Sequence, residues 1–212
     1  MPRPFGPRKF IIRLMNENAS ENASLFGTFL YQPQGVTFED QLAGEKIILL
    51  LRAHLVTLVP SILMTIFLAL APFLYVLVPV FLKINFFPFL TAHHAIFIII
   101  FWYLIVFGIV FNRFISWYFN IYILTDERII DVNFKGLLSR DVSHAKLDRI
   151  QDVSPRLVGF FRTFFNFGDV YIQTAGELPE FHFNQVVKPE IVAKEILDQA
   201  SKKEGESHGG VY

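Results

Sequence analysis

The chain has 212 residues, 53% of them hydrophobic, with 19 basic and 19 acidic side chains and a formal net charge of zero. Zero net charge excludes a global electrostatic pull toward nucleic acid or acidic lipid. The absence of cysteine excludes a disulfide framework, a thiolate metal site and a cysteine nucleophile.

The N-terminal segment, residues 1–43, reads as a disordered or weakly structured cytoplasmic stretch. Its apolar piece FIIRLM is too short for a secretory signal and is interrupted by Arg13. The tandem ENASENAS places Asn18 and Asn22 in glycosylation patterns that have no meaning on a cytoplasmic linker. From Glu45 the run EKIILLLRAHL is expected to begin a helix that approaches a membrane, with Arg52 and His54 at the interface.

Residues 53–112 dominate the chain, because Lys83 is the only charged side chain between Arg52 and Arg113. Two apolar runs there predict transmembrane helices at about 55–78 and 95–112, within a hairpin region 44–112. Pro60, Pro72 and Pro79 fall inside or beside the first span and predict kinks, since each removes a backbone donor. The link KINFFPFLTAHH is aromatic and nearly uncharged, as suits the headgroup level. Lysine and arginine lie on both flanks, so the positive-inside rule puts both termini in the cytoplasm and the protein in the plasma (inner) membrane. No Asp or Glu lies between Ala53 and Asn112, which argues against a proton relay. The adjacent His93 and His94 point about 100° apart on a helix and have no third ligand nearby, so they read as interfacial anchors.

Beyond Arg113 the periodicity changes to that of strands. SWYFNIYILT (116–125) and RIIDVNF (128–134) read as strands around a TDER turn, with weaker strands near 138–145 and 147–153. DVYIQT and EFHF supply two more. Ser154–Pro155 is expected to start a helix over 155–165. Its broad apolar face would carry Leu157, Val158, Phe160, Phe161, Phe164 and Phe165, with Arg156 and Arg162 alongside. A last amphipathic helix begins at Pro189, with Val192, Ala193, Ile196, Leu197 and Ala200 as its stripe, followed by a flexible tail over 202–212. Short strands closed by one helix make a small antiparallel barrel or sandwich over 113–201, so the fold class is an α+β membrane protein.

Three motifs in order, YILTDERII (122–130), KLDRIQDV (146–153) and FGDVYIQTAG (167–176), together with the approach GEKIILLLRAH, resemble the bacterial membrane proteins that carry a pleckstrin-homology-like domain of the second bacterial type. The resemblance spans roughly 44–200. It implies two packed antiparallel sheets with a C-terminal helix, and it brings no catalytic residues.

No catalytic, cofactor or metal-binding signature is present, so the expected action is binding, not catalysis. Two contact regions stand out. Arg156, Phe160, Phe161, Arg162 and Phe164 form an aromatic face that either packs the domain's own core or closes a sheet edge, the favoured reading, or touches the inner leaflet or a partner membrane helix. Arg52, Arg113, Arg128, Lys135 and Arg140 are the candidates for an anionic headgroup, diluted by Asp126, Glu127, Asp131 and Asp141. The expected partners are the lipid bilayer and either another protein or a second copy of the chain, with no nucleic acid. Headgroup recognition ranks behind protein interaction.

Overall fold

The computed structural model describes residues 12–14, 27–33, 35–38, 40–82, 92–134, 136, 139–175 and 181–208. The ENASENAS repeat, most of the interhelical link from Lys83, and Lys135 lie outside these.

The apolar run before the first span is a strand, not the start of a helix. Strands β1 (Ile12–Leu14), β2 (Phe29–Tyr31), β3 (Val36–Phe38) and β4 (Ile47–Arg52) precede the helices. Periodicity alone cannot assign a six-residue apolar run. Ile47 to Leu51 are all buried, a requirement a strand inside a sheet meets on both faces and an amphipathic approach helix does not. Part of the segment expected to be disordered therefore contributes sheet structure: β1 pairs with β3, and β2 pairs with β4.

After β4 come a 3-10 turn (Leu55–Leu58), α1 (Val59–Leu82) and α2 (Ala92–Phe119). The helical secondary structure of α1 runs unbroken through Pro72 and Pro79, and Pro60 sits harmlessly in its first turn. Pro72 has no N–H to offer the carbonyl four residues earlier, that of Leu68. The indole Nε1–H of Trp102 on α2 donates to that oxygen at 2.9 Å, and the Tyr103 hydroxyl donates to the carbonyl of Ala69 at 3.0 Å. A neighbouring helix thus satisfies the acceptor that the proline frees. Helix α2 extends seven residues past the expected span and takes in Ser116 to Phe119, which composition had placed in a strand.

The chain re-enters the sheet at β5 (Ile121–Thr125), followed by β6 (Arg128–Phe134), β7 (Arg140–Lys146), a 3-10 turn (Leu147–Arg149) and β8 (Ile150–Arg156). Then come α3 (Phe160–Phe164), β9 (Phe167–Thr174), β10 (Phe181–Val187) and α4 (Pro189–His208). Beside the β1-β3 pair, one larger sheet has the order β2-β4-β5-β6-β7 and another β10-β9-β8. Among the described residues the strand pairs are antiparallel, and one bridge, Ala53 with Val186, links β4's end to β10. Two sheets touching through one bridge are not a closed barrel. Leu49, Leu51, Leu124, Ile129, Val170, Ile172 and Phe183 form the core with Val192, Ala193 and Ile196 of α4. Tyr122 stacks on Phe183 within it, ring centroids 4.5 Å apart. Leu197, expected in the α4 stripe, is 38% exposed, and α4 continues to His208 through much of the expected tail.

Two compact units result. One is discontinuous, joining residues 1–54 to 120–133 and 141–212; the other holds 55–119 and 134–140. The domain expected at 113–201 therefore begins upstream of the helices, and the helical pair is inserted between two of its paired strands. Arg52 is the register partner of Ile121.

At the end of the β4–β5 ladder opposite the insertion, a polar cluster ties the two strands together. The Glu45 carboxylate, with a side chain 0% exposed, accepts from Arg128 Nε at 3.0 Å and Nη2 at 3.1 Å. It also accepts from Thr125 Oγ1 and from the Leu42 N–H, both at 2.8 Å. Lys46 N–H donates to the Asp126 carboxylate, and Asp126 N–H to the Lys46 carbonyl. Burial raises the Glu45 pKa, but the bonds from Arg128, Leu42 and Thr125 outweigh it and the net shift is downward. A lowered carboxylate stabilises the fold above its ordinary 4.5 and loses that contribution as pH falls through its folded value.

Glu45→Ala, which strands a buried guanidinium, should cost about 3 kcal/mol in denaturant unfolding at pH 7. Glu45→Ala/Arg128→Ala should cost less than the sum of the single changes. Trp102→Phe should weaken the helical pair by about 1 kcal/mol. In a Pro72→Ala background, where a backbone N–H reclaims the Leu68 carbonyl, that loss should shrink; equal losses in both backgrounds would disprove the coupling.

Candidate functional site

Two surfaces of the sheet domain bear on function. The first is a cleft of about 740 Å³ bordered by Asp40, Glu127, Arg128, His144, Lys146, Asp148, Lys203 and Glu206. Its floor is the β5–β6 turn, and one wall is the C-terminal part of α4. Lys203 Nζ lies 2.6 Å from Glu127 Oε1 and 3.5 Å from Glu206 Oε2, which fixes that helix over the turn. Lys146 and Asp148 stand exposed at the end of β7 and in the 3-10 turn. Among the described lining residues the carboxylates Asp40, Glu127, Asp148 and Glu206 outnumber the cations Arg128, Lys146 and Lys203. The described residues contain no cluster able to hold a metal ion.

The second surface is the loop between β8 and β9. The expected helix over 155–165 is one turn only, Phe160–Phe164, because 150–156 is strand. Pro155 lies in β8 at the edge of its sheet, where a missing N–H costs no ladder bond. Gly159 enters the helix at φ 105°, a conformation that favours glycine. The aromatic face does not pack the core: Phe160, Phe161 and Phe164 are 77%, 69% and 71% exposed, which overturns the core part of the favoured reading. Their rings stack on one another, Phe160 on Phe164 at 6.1 Å and edge-on to Phe161 at 5.8 Å. Arg162 is ion-paired with Asp169 on β9, whose other oxygen accepts the Gln185 N–H at 2.9 Å. Gly168 fits beneath, where an added Cβ would lie 2.5 Å from the Arg156 carbonyl oxygen.

Of the five basic candidates for a headgroup, four lie among the described residues. Arg128 is committed to Glu45, to the Asp40 carbonyl and to the Phe38 ring, 5.7 Å from its centroid. Arg52 lies at the end of β4 in the sheet unit, whereas Arg113 and Arg140 belong to the helical unit. Arg140 stacks over Phe134 at 6.0 Å. Lys135 falls outside the described residues.

One ionisable group escaped the sequence reading. Asp131 is opposite Tyr122 in the β5–β6 register, on the face that carries Ile129 and the core. Burial and the nearby Asp141 push its carboxyl from 3.8 up to about 6. Tyr122, itself pushed to about 12 mainly by burial, accepts the Asn184 N–H at 3.0 Å. Alternation in RIIDVNF sets Asp131 and Asn133 on the face opposite Ile130, Val132 and Phe134, but β6 buries residues of both faces, Ile129 as well as Ile130 and Val132.

The sequence pattern of a known family, the bacterial PH domain, matches residues 47–200. The chain belongs to the bacterial PH domain family. The match begins at the first residue of β4 and ends within α4, so the PH domain pattern runs across the helical pair. Among solved structures, a DUF1696-family protein with a pleckstrin-homology domain from Shewanella loihica PV-4 is similar at 14% identity. It covers 40% of this chain and 70% of its own, with a TM-score of 0.29. No curated protein matches.

A raised Asp131 pKa means the folded PH domain holds a proton that the unfolded chain releases near pH 3.8. Its unfavourable contribution is therefore absent below that value and grows as pH rises toward 6. Asp131→Asn should stabilise the protein at pH 7 and lose that advantage by pH 4. An advantage independent of pH would assign the effect to packing.

Proposed function

We propose that the protein is a membrane-anchored PH domain that works as a protein-interaction or self-assembly module and not as an enzyme. Anchoring is supported by two helical stretches, Leu55–Leu74 and His93–Phe119, with hydropathies of 2.2 and 2.6, both long and apolar enough to cross a membrane. At 1.5 Å per residue, twenty helical residues reach about 30 Å, the thickness of the hydrocarbon core. Lysine and arginine on both flanks put the termini and the PH domain on the cytoplasmic side of the inner membrane. Confining the domain to a surface raises its effective concentration toward anything else held there.

The observation that carries the protein-binding reading is the charge pattern of the cleft. Four carboxylates with three cations repel a phosphate-bearing headgroup and complement a polypeptide of mixed charge. The cleft's most deeply placed cation, Arg128, is already neutralised by Glu45. Headgroup recognition, the alternative, would draw on Arg52, Arg113, Arg128, Lys135 and Arg140, of which Arg128 already serves Glu45 and the Asp40 carbonyl.

A photocrosslinker at Lys146 in intact membranes should yield adducts with a discrete protein or with a second copy of this chain. Lys146→Glu combined with Asp148→Lys should reduce them several-fold. Adducts to lipid alone would reject the protein-interaction reading in favour of the headgroup one.

A further inference from the structure

The aromatic loop has no role in the cleft, and its exposure is unusual. Val158, Phe160, Phe161 and Phe164 are each at least 60% exposed, whereas large apolar clusters on a soluble surface mark a contact site. The question is what covers them, and the answer lies in where the loop is rooted. His54 is the last residue before the first apolar helical stretch begins at Leu55. Its ring stacks on Phe167 at 5.1 Å and lies 6.4 Å from Phe165, the two aromatic residues at the loop's C-terminal base. Its backbone N–H donates to the Gln185 carbonyl at 2.8 Å. Ala53 bridges Val186, and Arg52 pairs with Ile121, the first residue after α2 and its connecting Asn120. The chain's exit from the PH domain, its re-entry and the base of the aromatic loop are therefore gathered at one end of the domain.

We infer that Val158, Phe160, Phe161 and Phe164 enter the interfacial layer of the same bilayer that the helices cross, giving the PH domain a further membrane contact beside its covalent one. The inference rests on the anchoring reading above. Phenylalanine rings on a one-turn helix present apolar area to the boundary between headgroups and acyl chains, and Arg156 at the end of β8 is exposed to meet lipid phosphate. The loop is held ready for this. Arg162 is pinned to Asp169, Phe165 N–H donates to the Phe161 carbonyl, and Lys188 N–H donates to the Asn166 carbonyl. Arg162 is thus a positioning residue for the loop rather than a lipid ligand.

The absence of cysteine allows a direct test on the full chain. Phe164→Cys, Phe67→Cys in α1 and Asp198→Cys on α4 would each carry an environment-sensitive fluorophore, with the protein reconstituted into phosphatidylcholine–phosphatidylglycerol vesicles. Quenchers would be nitroxide lipids labelled at shallow and deep positions, and aqueous iodide. The expected result is strong shallow quenching at position 164, deep quenching at 67, and iodide quenching alone at 198. The signal at 164 should fall several-fold when Phe160 and Phe161 are both replaced by Ser, with that at 67 unchanged. Deep quenching at 67 with only iodide quenching at 164 would overturn the loop contact and leave the anchor standing. Protection of 164 from both quenchers would mean that protein covers the loop, and would also overturn it. No lipid quenching at 67 would overturn the anchor itself, and with it the contact with a bilayer that the helices cross.

Discussion

The buried pair of Glu45 and Arg128 is the constraint on which the rest of the sheet domain depends. Roughly seventy residues separate β4 from β5, and bringing the ends of so long an excursion together costs conformational entropy that rises with the logarithm of its length. The ladder from Ile47 to Arg52 opposite Ile121 to Thr125 offsets part of this. The carboxylate–guanidinium pair, with Thr125 and Lys46–Asp126 around it, sets which residues meet. A sheet of near-continuous apolar strands is poorly specified in register, because a slip still buries hydrophobic side chains. A buried charge that has one acceptable partner removes that freedom.

Two carboxylates of the domain respond to acid in opposite senses. Protonating Glu45 removes a stabilising pair at low pH, whereas protonating Asp131 relieves a destabilising charge over a higher range. Glu45 is hydrogen-bonded by Arg128, Thr125 and Leu42, whereas Asp131 lies among apolar residues with Asp141 near. The contrast follows from partners alone, since the chemistry of the two groups is the same.

Much of this was legible in the sequence, and the failures share a cause. The apolar helices, the β6, β9 and β10 strands, and the start of α4 at Pro189 follow from composition, alternation and capping. The family resemblance was carried by GEKIILLLRAH and YILTDERII as separate motifs. The structure shows Glu45 of the first bonded to Thr125 and Arg128 of the second, a pairing across eighty residues that no local window reveals. Ile47 to Leu51 looked helical because only their distant sheet partners identify them as a strand. Ser154–Pro155 has the chemistry of a helix start, yet at a sheet edge the same proline is equally at home. The Phe cluster of α3 was taken for core because apolar residues usually are; its exposure depends on where strands β8 and β9 end. Asp131 escaped because alternation presumes a sheet with one wet face.

The insertion of α1 and α2 between paired strands has a consequence for synthesis. The chain emerges from its N-terminus, so β4 exists before either helix, and β5, its central partner, follows only after both. Until then IILLLR is an apolar strand without its main partner, the kind of segment that adheres to other unfinished chains. The sheet can close only when the helical pair has been completed and its two ends have come together. Assembly of the domain thereby reports that the preceding hairpin has been made: a chain whose helices fail to return leaves β4 without β5, and no PH domain forms.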